Sequence, residues 1–147
     1  MTHPSLRWMH HLTALLLLTA ALTVASAADE DDSLNSTDTE QQMIAAVTRR
    51  IDGYNAHDLD AFLEAHAHDV DIIEYPDKRI GVGRAHLAFV FADQFDRNEG
   101  HINVLHQIVI GNRVISHEHI TTASRIEELV IVYTVEQGLI TSFRLIE

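Results

Sequence analysis

Glu118 stands in an alternating apolar stretch, between Ser116 and Ile120. An ionised carboxylate is costly there unless it is paired or protonated. Arg144 occupies a similar place between Phe143 and Leu145, Tyr133 lies in a third such stretch, and Glu74 ends a fourth. If Glu118 and Arg144 project to one side, two roles are open. They can form a structural pair that satisfies a polar patch in a pocket wall, or burial can raise the Glu118 pKa and make it a general base. In the second role Arg144, Tyr54 or Tyr133 would be the polar partners.

The histidines form a second group. His117-Glu118-His119 places two imidazoles on one strand face, and a two-residue turn at Gly111-Asn112 sets His106 opposite His117. Three histidines with an open fourth position suit zinc. The alternatives are neutral imidazoles paired across a protein interface and an interface that responds to pH. No metal or other cofactor is the expectation. Gly81-Val82-Gly83 lacks the longer glycine pattern of a phosphate loop.

Helices and strands must position these groups. Thr37-Asp-Thr-Glu40 has capping-box spacing, followed by Ile44, Val47, Ile51 and Tyr54 on one helical stripe. Asp58 can cap a short second helix that buries Phe62 and Ala65 and ends near His66 and His68. Val70–Tyr75 reads as a strand ended by Pro76, Asp77–Gly83 as a loop, and a third helix begins near Arg84 with Leu87, Phe91 and Phe95 aligned. The remainder reads as strands, His101–Ile110, Arg113–Thr122, Glu127–Glu136 and Leu139–Ile146, with turns at Gly111-Asn112 and Gln137-Gly138.

Two-residue turns predict that Val104 faces His119, Val132 faces Phe143 and Val130 faces Leu145. One sheet face then carries Gln107, Ser116 and Glu118, continued by Ile131, Tyr133 and Arg144, and this is the expected pocket wall. Both faces are apolar, and three helices can cover only one. A homodimer packed sheet against sheet is expected on the other.

Composition sets outer limits. The 147-residue chain has a net charge of −12, which argues against a nucleic-acid partner. It has no cysteine, which excludes disulfides and thiol catalysis. Leu12–Val24 is an apolar run shorter than a membrane span, followed by the small-residue site Ala25-Ser26-Ala27. Residues 1–27 are expected to be a cleaved signal peptide, with the mature chain secreted or periplasmic and free of the membrane. Residues 28–38 are acidic and expected to be a disordered tail. Residues 39–147 form one domain.

The order of these elements is α+β. With the stretches YNAHDLDAFLEAHAHDVDIIEYP and IGVGRAHLAFVFADQF, it resembles the nuclear transport factor 2-like superfamily, in its SnoaL-like and ketosteroid-isomerase-like branches. The resemblance covers about Met43 to Ile146. It implies a cone-shaped fold in which three N-terminal helices pack on a curved, mainly antiparallel sheet around one pocket. It places Glu74 where ketosteroid isomerases keep their catalytic aspartate. Arg50 replaces their oxyanion-donating tyrosine, and Ile131 replaces their protonated aspartate. Both departures argue against authentic steroid isomerisation.

The expected function is binding of a small, largely apolar molecule, with isomerase- or cyclase-type proton transfer on a carbonyl compound. Glu118, Glu74 and Arg144 are the expected catalytic residues. Tyr54, Tyr133, Ser116, Gln107 and Ile131 are the expected binding residues. The alternatives are a non-catalytic ligand-binding or dimeric interaction module, and a metalloenzyme built on His106, His117 and His119.

Overall fold

The computed structural model describes residues 25–146, with side chains from residue 36 onward. The expected signal peptide lies almost wholly outside the described residues. The chain divides into two units, Met1–Asp38 and Thr39–Glu147, and the sheet and its core belong to the second.

Helix α1 spans Ala25–Asn55, so it begins before the start expected near Thr37, and residues 28–38 fall within it. Its buried face is Met43, Ala46, Val47, Arg50, Ile51 and Tyr54. That stripe is rotated from the expected one. Ile44 is exposed, and Arg50 sits inside the stripe, one turn before Tyr54. Helix α2, Leu59–Glu64, is capped as expected, with the Asp58 carboxylate accepting from the Ala61 amide at 3.0 Å. Phe62 and Ala65 are buried.

Strand β1, His66–Glu74, begins where the second helix was expected to end. His66 is therefore a strand residue, fully buried, not a solvated helix terminus. Strand β2, Lys78–Val82, replaces the expected loop. Its sequence has little alternation, and pairing with β1 makes it a strand: Asp71 lies opposite Val82, and Arg79 binds the Asp71 carboxylate at 2.9 Å. Helix α3, Gly83–Asp96, follows β2. Among the described residues α1 and α2 precede the sheet and α3 follows its first two strands, so three helices are present but not all three are N-terminal to the sheet.

Four strands complete the domain: β3 His101–Ile110, β4 Arg113–Thr121, β5 Ile126–Glu136 and β6 Leu139–Ile146. The sheet order is β2-β1-β6-β5-β4-β3, antiparallel except for the parallel β1–β6 pair.

Two bulges change the expected register. Ile110–Arg113, Ile108–Ile115 and His106–His117 pair as expected. Leu105 is then an extra residue, so Val104 lies opposite Glu118, not His119. Thr141 is the second extra residue. Beyond it Val132 pairs with Arg144 and Val130 with Ile146, while Tyr133 pairs with Phe143 and Ile131 with Leu145. A single inserted residue moves every later side chain to the opposite face. Phe143 and Leu145 thus join the helix-covered face with Ile131 and Tyr133, and Arg144 leaves it. Core residues from α1, α2, α3 and this face form one cluster.

Candidate ligand-binding cavity

A cavity of about 710 Å³ lies between the helices and the inner face of the sheet. This is within the size range of small-molecule sites. Its apolar lining includes Ile72, Leu87, Phe91, Leu129, Ile131 and Phe143. It opens to solvent past Ile80 and Val90, both of which line it and are exposed.

Arg50 is the charge built into the buried part of this lining. It is 3 % exposed, and its guanidinium lies over the Tyr133 and Phe62 rings, 5.3 and 5.7 Å from their centroids. Glu118 faces it from β4, with Oε2 3.5 Å from Arg50 Nη1. Glu118 is fully buried, and its Oε1 accepts from the Tyr133 hydroxyl at 2.9 Å. Burial pushes the Tyr133 phenol well above its ordinary pKa, so it stays a donor. Arg50 Nε and Nη1 and Glu118 Oε2 have no hydrogen-bond partner among the described residues. The pair is thus electrically balanced but not saturated with hydrogen bonds.

Tyr54 lies one helical turn from Arg50 on the same face of α1 and also lines the cavity. The Gln94 side-chain amide donates to the Tyr54 hydroxyl oxygen. The oxygen is then used as an acceptor, and its proton remains available to the cavity. Burial raises the Tyr54 pKa and keeps that proton in place.

The sequence-derived site residues separate. Tyr54 and Ile131 line the cavity. Glu118 and Tyr133 stand behind Arg50 and do not line it. Ser116 is buried and accepts from the half-buried Gln107 side chain at 3.3 Å, away from the lining. Arg144 is on the outer face, where it binds Asp77 at 3.0 Å and does not reach Glu118. The Thr141 bulge is the reason. Glu74 is half-exposed at the end of β1 and pairs with Lys78 at 3.0 Å. It too stands apart from Glu118 and from the cavity lining.

The histidine trio is on the outer face as well. His106 stacks on His117 with ring centroids 5.9 Å apart. Glu128 takes up His117 Nε2 at 2.7 Å and His119 Nε2 at 3.5 Å. These contacts hold the Glu128 carboxyl below the usual carboxylate range. No group of three or more metal-ligating side chains is suitably arranged among the described residues. No helix among them is long and apolar enough to cross a membrane.

Sequence reasoning passed over Arg50 and Gln94 as site residues. The signal for Arg50 was present: it follows Met43 and Val47 and precedes Tyr54 at helical spacing, so it interrupts an otherwise apolar stripe. Gln94 offered no comparable signal.

The profile of the SnoaL-like domain matches residues 47–143. The chain belongs to the SnoaL-like domain family. That match contains the cavity lining from Arg50 to Phe143. Solved structures with the same α+β fold share its SnoaL-like, nuclear transport factor 2-like architecture. One is an NTF2-like protein of unknown function from Burkholderia xenovorans, with 18% identity, TM-score 0.61, and coverage of 73% of this chain and 83% of that one. A second is a candidate ketosteroid isomerase from Kribbella flavida, with 20% identity, TM-score 0.55, and coverage of 71% and 76%. A third is a candidate SnoaL-like polyketide cyclase from Jannaschia, with 14% identity, TM-score 0.57, and coverage of 72% and 85%. No curated protein matches this SnoaL-like chain.

Proposed function

We propose that this SnoaL-like domain binds a small, neutral, largely apolar molecule through a carbonyl oxygen held by Arg50. The observation that carries this is the buried Arg50 guanidinium, which belongs to an otherwise apolar part of the lining and meets its Glu118 counter-ion only at 3.5 Å. A carbonyl oxygen that reaches the guanidinium gains a charge-assisted hydrogen bond, worth about 1.5–3 kcal/mol. Glu118 already balances the charge, so a neutral acceptor suits the site better than a carboxylate, which would place a second negative charge beside Glu118. Arg50 then polarises the carbonyl, the first requirement of isomerase- or cyclase-type chemistry. The isomerase and cyclase names carried by the structural relatives are consistent with that ligand class. Glu118 acts in this reading as the counter-ion that positions Arg50.

The test compares para-acetylbiphenyl with para-ethylbiphenyl, its carbonyl-free analogue, by titration calorimetry. The wild-type protein is expected to prefer the ketone by about tenfold or more, the worth of a charge-assisted hydrogen bond. Arg50→Met alone would strand Glu118, so the variant is Arg50→Met combined with Glu118→Gln, which removes both charges together. It is expected to bind both compounds alike. Equal affinity of the wild-type protein for ketone and hydrocarbon would overturn the reading.

A further inference from the structure

Three elements that line the cavity change from apolar to polar in the same direction. On α3 one lining series runs Leu87, Phe91, Gln94 and then the exposed Arg97 just past the helix end, with His86, Val90 and Asp93 lining the cavity beside it. On β5 they run Ile131, Leu129, Glu127, and from β4 onward they run Ile120, Thr122. Helical spacing on α3 and alternation on the strands put each series on one side of its element. On α1, Arg50 lies by Tyr133 and Phe62, whereas Tyr54 is tied to Gln94 and is influenced by the Glu127 charge. The cavity therefore has an apolar body around Arg50 and a polar wall formed by the end of α3 and the β4–β5 loop.

The charges of that wall are mostly matched within it. Arg97 Nε lies 3.3 Å from Glu99, and Arg125 Nη2 lies 3.0 Å from Glu127. The Thr122 and Ser124 hydroxyls stand among them, and Asp93 adds an acceptor with no ion-pair partner among the described residues. A charged ligand group would attract one member of each pair and repel the other. A neutral group that both donates and accepts satisfies both members. Hydroxyl is the simplest such group.

We infer that the ligand is a neutral amphipathic molecule with its carbonyl at Arg50 and a hydroxyl-bearing far end against Arg125 and Glu127. This rests on the carbonyl reading above and specifies the other end of the same ligand. The probes are para-acetylbiphenyl and the same ketone with a para hydroxyl on its far ring. On the wild-type protein the hydroxyl is expected to tighten binding about three- to tenfold, the worth of one neutral hydrogen bond. Arg125→Met with Glu127→Leu removes the pair and is expected to abolish that gain, read as the ratio of the two ketones' affinities within the same variant, whatever the more apolar wall does to the parent ketone itself. Arg125→Glu with Glu127→Arg keeps donors and acceptors and is expected to retain it. Both residues are substantially exposed, and thermal melting confirms that each variant is folded before titration. If the wild-type protein binds both ketones equally, or the Met/Leu variant keeps the gain, the hydroxyl inference fails and the carbonyl reading stands. If the wild-type protein binds neither ketone, both fail.

Discussion

His66 is a fully buried imidazole whose Nδ1–H donates to the Phe62 carbonyl at 2.8 Å. Its Nε2 has no partner among the described residues, and Phe62 and Phe143 flank the ring at 5.0 and 5.9 Å. Burial first, and then the nearby Arg50 charge, lower its pKa from 6.5 to about 3. A histidine whose folded pKa is depressed favours the folded state fully above its unfolded value and loses that advantage as pH falls. Stability is therefore expected to decline below pH 6.5, with a slope approaching about 1.4 kcal/mol per pH unit. Urea denaturation between about pH 7 and 5, above most carboxylate titration, measures it. His66→Gln is expected to flatten that slope whatever it does to stability at pH 7. An unchanged slope would assign the pH dependence to other groups. The same Arg50 charge that would hold a ligand oxygen thus also keeps a neighbouring core histidine neutral.

At the level of elements, the contact between α1 and α2 depends on one missing side chain. A Cβ at Gly53 would lie 2.5 Å from the Phe62 amide nitrogen and 2.8 Å from its Cα. In an open helix Gly→Ala stabilises by about 1 kcal/mol. Here the new methyl meets backbone that cannot rotate away, and overpacking of this kind costs about 1–3 kcal/mol. Gly53→Ala is expected to destabilise the protein in chemical denaturation, and a gain in stability would refute this account of the packing. Phe62 is also the ring beneath Arg50, so the variant is expected to weaken ketone binding as well. The Asp58 cap, the start of α3 and the Gly111-Asn112 turn were legible because local residue chemistry decides them. The bulges at Leu105 and Thr141 were not. A bulge is set by how two strands twist against the helices that cover them, and neither residue announces it in the sequence.

For the whole domain, the outer sheet face has apolar residues outside the lining of the cavity described above. Ile108 and Ile110 are 58 and 62 % exposed, and Ile115, Val130, Val132 and Ile146 lie half-buried on the same face. A second copy of the chain is the partner expected there, in line with the apolarity of both sheet faces. Ile110→Lys is expected to convert a dimer into a monomer in light scattering at neutral pH, without loss of ketone binding. A wild-type protein that is monomeric at micromolar concentration would remove the expectation. Arg144 is now part of this outer face, so its contribution is to be sought in assembly and not in the cavity.

The sequence by itself determined the α+β order, the capped second helix, the strand-rich second half, and the presence of a buried carboxylate at Glu118 and a cavity tyrosine at Tyr54. These follow from local spacing and from the cost of burying charge, which act whatever the distant contacts are. Tertiary structure decided the partners. Glu118 is paired with Arg50, not Arg144, because one extra residue at Thr141 turns the end of β6 over while α1 presents its single buried guanidinium to β4. Side-chain direction in a sheet reverses with every residue, so the identity of a site depends on a register that only the packed strands and helices can set.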